Sequence, residues 1–187
     1  RSDGRYVWFE ETARGEFDAA GQLLRIKGLT RDITERKQGE ERLQRTERRL
    51  RDLLEALPVA IYVTDAAGRI TYYNQGAADL WGAKPKLSAD KWSDLARFYY
   101  GDGTPMPVEE CPSEIALKQG RIVRNLEVIL ARPDGTRVPI VAYPTPLYDG
   151  TSAVAGIVNM MVDISDRKKA ELALAERAIQ LSLASKA

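Results

Sequence analysis

No histidine occurs anywhere in the 187 residues. That absence removes the phosphoacceptor of a histidine kinase, the usual haem ligand, the usual zinc ligand and the commonest general base. No GxxxxGK[ST] loop is present to cradle a nucleotide phosphate. Neither catalysis nor a metal site is therefore expected of this chain. Cysteine is nearly missing too. Cys111 stands alone, which excludes an internal disulfide framework and fits a reducing, cytoplasmic setting. No apolar run approaches the roughly 20 residues that a membrane helix needs. Nor is one sign of charge in excess. Lys plus Arg number 28 against 27 Asp plus Glu, so no net field draws the chain to nucleic acid or an anionic membrane.

What is present is a repeat. Asp32-Ile33-Thr34-Glu35-Arg36-Lys37 returns as Asp163-Ile164-Ser165-Asp166-Arg167-Lys168, 131 positions later. The same offset sets Asp3-Gly4 over Asp134-Gly135, Val7 over Val138, Asp18 over Asp149, Ile26 over Ile157 and Leu43 over Leu174. A register held that long implies one complete module behind the tail of another. A piece of a longer protein is the expected reading.

The stretch Asp32 to Leu57 reads as one long charged helix joining the two. Thr34 is the expected N-cap and Pro58 the stop. Leu43, Leu50 and Leu57 recur every seven residues, a narrow seam suited to a parallel coiled-coil homodimer. Glu41–Arg45, Glu47–Arg51 and Arg51–Glu55 stand four apart as candidate surface ion pairs. Gly39 is a weak point in the helix.

Before that helix, residues 5–12 and 22–30 read as two strands around an Asp18 turn. A hairpin alone is marginal in water, so something must cover it. After the helix, residues 60–65 and 69–74 read as strands. Ile61, Val63, Ile70 and Tyr72 are the expected buried face by period-two alternation. A short helix follows over 75–81, with Asn74 as N-cap and Gly82 as stop, then a helical piece near 88–98 and a helix over 109–118. Strands are expected at 123–131, 137–147 and 153–163, with turns at Pro133-Asp134-Gly135 and Asp149-Gly150, and with Pro144 and Pro146 interrupting the middle strand where it bends or lies at an edge. A last helix runs from Ser165. The order predicts an α+β fold with an antiparallel sheet and helices on one face.

Three stretches carry a resemblance: AIYVTDAAGRITYYNQGAADLWG, RPDGTRVPI and GIVNMMVDISDRKKAE. Together they resemble a PAS sensor domain, and residues 3–37 resemble the C-terminal half of a preceding one, the PAC motif. The segment from Gly101 to Asp149 is similar to a subgroup found in multi-PAS bacterial sensor histidine kinases. The resemblance implies a five-stranded antiparallel sheet over short helices with a pocket between. It divides the chain into a PAC part (1–33), a linker helix (34–57), a complete PAS domain (58–164) and an exit helix (165–187).

The implied role is sensing and dimerisation, with the signal relayed through helices to a downstream kinase domain of a two-component sensor. The alternative is a small-molecule or noncovalent-cofactor receptor serving another output, such as a cyclic-dinucleotide enzyme. The family's exit signature falls on Asp32, Thr34 and Arg36, and again on Asp163, Ser165 and Arg167, as signal-relay candidates. Asp163 is expected to fix the exit angle and to pair with Arg167. Pocket candidates are Tyr72, Trp81, Tyr143, Asn159 and Met161. Asn159 is the informative one, because an amide in an apolar strand must find a partner. The cofactor is unknown. Haem is disfavoured without histidine, and a covalent flavin adduct is disfavoured because Cys111, in EECPSE, does not match the NCRFL-like helix of flavin photosensors.

Overall fold

The computed structural model describes residues 6–184, so the Asp3-Gly4 turn lies outside the described residues. The chain divides into two compact units, with the boundary inside a helix after Leu53.

In the first unit β1 (Phe9–Phe17) and β2 (Leu23–Asp32) form a two-stranded antiparallel ladder. Asp18 builds the turn: its Oδ1 accepts from the amides of Ala20 and Gln22, and Gly21 takes a left-handed φ of 80°. The first strand starts later than expected because the backbone of Trp8 serves the helix instead. Trp8 N–H donates to Thr34 Oγ1, and Trp8 C=O accepts from Ile33 N–H. Phe9, Phe17, Ile26 and Leu29 are all more than half exposed. Helix α1 (Thr34–Ala56) then runs unbroken through Gly39, with none of its residues buried. Thr34 is its first residue rather than its cap, and its hydroxyl is held by the backbone of Trp8, just before β1. The expected pairs Glu41–Arg45, Glu47–Arg51 and Arg51–Glu55 do not form among the described residues; Arg36 and Lys37 pair with Glu40 instead.

The second unit is a six-stranded antiparallel sheet. Its strands are β3 (Ala60–Thr64), β4 (Ile70–Tyr73), β5 (Arg97–Tyr99), β6 (Leu126–Ala131), β7 (Arg137–Tyr148) and β8 (Val154–Asp163), ordered 4-3-8-7-6-5. The expected five strands are there, and three-residue β5 adds a sixth at one edge. It occupies part of the span read as helix near 88–98, of which only α3 (Trp92–Leu95) is helical. Helix α2 (Gln75–Trp81) starts on the Asn74 cap and stops at Gly82, whose φ is 68°. Helix α4 (Pro112–Gln119) starts on Pro112, whose missing N–H costs nothing in the first turn, and stops at Gly120. The exit helix is α5 (Ser165–Ala184).

One strand reading is refined and one changes. β7 is continuous through Pro144 and Pro146, which pair with Asn159 and Ile157 of β8. The carbonyl of Pro144 accepts from Val123 N–H, so its nitrogen faces the side where β6 has already ended. That half of β7 is an edge on one side, so no ladder bond is lost. In β3 the buried phase is shifted by one. Ala60 and Tyr62 join the helix-facing core with Ile70, while Ile61 and Val63 lie on the other face, with Tyr72 opposite Val63. Ala60, Ile61 and Tyr62 are all buried, so apolar character alone does not fix the face.

Candidate functional site

Between sheet and helices three polar side chains meet: Tyr62 on β3, Ser113 on α4 and Asn159 on β8. Each is at most 3% exposed. Tyr62 Oη and Ser113 Oγ are 2.7 Å apart. Asn159 Nδ2 donates to both, at 3.1 and 3.2 Å, and its Oδ1 accepts from Tyr143 N–H at 3.1 Å. Burial pushes the Tyr62 phenol up to about 12, against the lowering effect of its hydrogen bonds. It is a neutral donor or acceptor at any ordinary pH. The amide partner that Asn159 requires is therefore supplied by the protein itself.

Trp81 belongs to the same interior, 1% exposed and tilted against Tyr62 and Tyr73 with ring centroids 5.2 and 6.4 Å away. Met161 is equally buried, opposite Ala60. Tyr72 and Tyr143 are not there. Both lie on the other sheet face, one opposite Val63 and the other opposite half-exposed Met160. The strand register thus separates them from Trp81, Asn159 and Met161, with which they were expected to line a pocket.

Where the linker helix joins this unit, Asn74 makes four bonds. Its Oδ1 accepts from Ile61 N–H at 2.8 Å and Ala77 N–H at 3.0 Å. Its Nδ2 donates to Leu54 C=O at 3.0 Å and Val59 C=O at 2.8 Å. Glu55 adds two contacts to the same corner, accepting from Gln75 N–H at 3.0 Å and from Tyr72 Oη at 3.3 Å. The last turn of α1 is thus tied to the start of β3 and the start of α2. Leu57 falls outside the helical seam. It lines a cleft of about 320 Å³ with Met161 and Asp163, while Leu43 and Leu50 stay exposed on α1.

The two exits are built alike. Asp32 Oδ1 accepts from Thr34 N–H at 2.9 Å, and Asp163 Oδ1 accepts from Ser165 N–H at 2.7 Å. Ile33 N–H reaches Trp8 C=O, and Ile164 N–H reaches Pro139 C=O, 131 positions on. One bond of the first exit has no counterpart in the second. Trp8 donates its N–H to Thr34, but its counterpart Pro139 has none to give Ser165. The second exit has an ionic clamp: Glu127 on β6 pairs with both Arg167 and Lys168, the latter at 2.6 Å. At the first exit Arg36 stands 3.8 Å from Glu10. Arg167 therefore meets Glu127 rather than Asp163, whose carboxylate is turned to the Ser165 amide.

A profile of the family described as PAS domain matches residues 58–166. The chain belongs to the PAS domain family. A curated relative, the uncharacterized protein y4lL of Sinorhizobium fredii, is 25% identical over 174 residues, covering 91% of this chain and 20% of that protein. The two-component sensor PprA of Pseudomonas aeruginosa is 31% identical over 105 residues, covering 54% of this chain and 11% of that protein. The chain thus spans a fifth or less of the length of these relatives. Among solved structures, an RNA-binding light-oxygen-voltage receptor aligns at a TM-score of 0.51 and 17% identity, over 71% of this chain and 37% of that one. At that identity the likeness concerns the PAS fold alone.

The chemistry available to this PAS domain is that of a sensory module. Cys111 is buried, its thiol pushed up to about 12 by burial and by the nearby Glu114, Glu109 and Glu110. Such a thiol is a poor nucleophile. Among the described residues no group of three His, Cys, Asp or Glu side chains could hold a metal ion, and no helix is long and apolar enough to cross a membrane.

Tyr62, Ser113, Asn74, Glu55 and Glu127 were not singled out as site residues from sequence; Asn74 was read as a helix cap and Glu55 as one half of a surface ion pair. Glu127 carries a pH prediction. The hydrogen bonds from Lys168 and Arg167 hold its carboxyl below the usual range. A depressed carboxyl stabilises above its unfolded pKa and stops doing so as pH falls through the folded value. The protection of the amides in the first turn of α5, relative to their intrinsic exchange rates at each pH, should therefore fall in acid and in high salt. Glu127→Gln should show the faster exchange already at neutral pH, with the difference vanishing in acid. Identical exchange at neutral pH would show that the clamp does not hold the helix.

Proposed function

We propose that this PAS domain is a relay and dimerisation module of a longer cytoplasmic sensor protein, passing conformational signals through its helices to a downstream kinase domain. In this reading, residues 1–33 are the C-terminal part of a preceding PAS domain, residues 34–57 the linker, residues 58–164 the complete domain and residues 165–187 the outgoing helix. Asp32, Thr34 and Arg36, with Asp163, Ser165 and Arg167, set the helix angles at the two exits. Identity to a two-component sensor and the repeated exit geometry both support this.

The observation that carries the reading is the contrast between interior and helices. The buried amide and hydroxyls bond to one another, while Leu43 and Leu50 stand 61% and 58% exposed on a helix with no buried residue. Apolar side chains at seven-residue spacing gain by pairing with a second copy. Sedimentation equilibrium of the wild type against Leu50→Glu tests it. The wild type should dimerise, and the variant should dimerise at least about tenfold more weakly, which is about 1.4 kcal/mol. Monomeric masses for both proteins would sink the coiled-coil dimer.

A further inference from the structure

The β5 edge of the sheet carries charges that the relay does not use. Arg97 on β5 and Arg137 on β7 both pair with Ala131 on β6, so the two arginines stand on one sheet face with a small side chain between them. Strands lie about 4.8 Å apart, which places the two Cα atoms about 10 Å apart. Their long side chains can converge over Ala131. Arg137 is already ordered, its guanidinium 4.2 Å over the Tyr99 ring. A groove of about 620 Å³ opens here, lined by both arginines, Tyr99, Ala131, Asp94 and Gly135.

No acid neutralises this pair. Among the described residues neither Arg97 nor Arg137 is in an ion pair. The neighbouring carboxylates are turned to their own backbones. Asp94 accepts from Lys91 N–H, Asp102 from Thr104 N–H and Asp134 from Thr136 N–H. Arg132, also on the groove, donates through Nε and Nη2 to Leu80 and Asp79 carbonyls at the end of α2, which leaves its positive charge in place. Two guanidiniums facing one floor without a counter-charge suit an oxyanion, which accepts planar, bidentate bonds from each.

We propose that this groove binds a small dianion, a phosphomonoester or a dicarboxylate, between Arg97 and Arg137 over Ala131. The site shares its face and its strand with Glu127, four residues back along β6, so a bound anion would sit on the face that holds the exit helix.

Inorganic phosphate and malonate, each titrated at constant ionic strength against sodium chloride, test the site by amide NMR of the full chain. Saturable shifts at Ala131, Gly135 and the Arg side-chain Nε–H groups are expected with one or both probes. The probe that saturates at lower concentration decides between the two ligand classes. The Arg97→Gln/Arg137→Gln double variant should bind at least tenfold more weakly, and Arg137→Lys, which keeps the charge but not the fork, should fall between. Single Arg97→Gln, on the exposed edge strand, gives the same reading should the double variant not fold. Shifts that do not saturate with either probe, or an undiminished response in the arginine variants, would overturn the proposal.

Discussion

Asn74→Ala should cost the PAS domain about 3 kcal/mol or more in urea unfolding, from a domain stability of about 5–15 kcal/mol. Asn74 is fully buried and makes four hydrogen bonds. Alanine fills none of them and leaves the buried Ile61 N–H without its acceptor. Each buried polar group left unpaired costs about 1–3 kcal/mol, against about 1 kcal/mol net for an ordinary exposed bond. Asn74→Asp separates shape from bonding. It has the same size, but it sets carboxylate oxygens against the carbonyls of Leu54 and Val59, where the amide donated. It should be no better than alanine. Amide exchange should also quicken at Leu57 and Val59, because the variant frees the end of α1. A loss under about 1 kcal/mol for both variants would show that the joint is dispensable.

Gly156→Ala should be comparably severe for a different reason. An added Cβ at Gly156 would stand 1.9 Å from the Thr64 carbonyl oxygen and 2.9 Å from its carbon. The obstacle is backbone, so no side-chain rotation relieves it. β3 crosses β8 so closely here that Ile157 N–H reaches the Thr64 hydroxyl, and only glycine fits. Overpacking of a well-packed core costs about 1–3 kcal/mol and more where backbone must move, so a loss of at least about 3 kcal/mol is expected. Gly150→Ala, with nothing within 4 Å, is the control and should stay within about 0.5 kcal/mol. Equal unfolding midpoints for the two variants would contradict the close crossing.

These residues also mark where the sequence is readable. The turns at Pro133-Asp134-Gly135 and Asp149-Gly150 and the Asn74 and Gly82 caps are local chemistry, and each stands as read, whereas α4 begins at Pro112 and not at the expected Glu109. Asn159 was legible because an amide among aliphatic residues demands a partner. Its partners were not, since Ser113 and Tyr62 lie 46 and 97 positions away. The phase of β3 was ambiguous because both of its faces are covered. Glu55 looked like one more charge on a salt-bridged helix, yet its carboxylate points at Gln75 and Tyr72, 20 and 17 positions on. Asn74 was seen as a cap, which it is, but one bond of four is all that local sequence can reveal.

The pairing of Ala60 with Met161 brings the start of β3 beside the end of β8. The chain therefore comes in and goes out through neighbouring strands, within a few residues of each other. A domain with its two ends together can be duplicated, deleted or transplanted without prying apart whatever flanks it. The 131-residue register seen in the sequence is the kind of scar that such copying leaves.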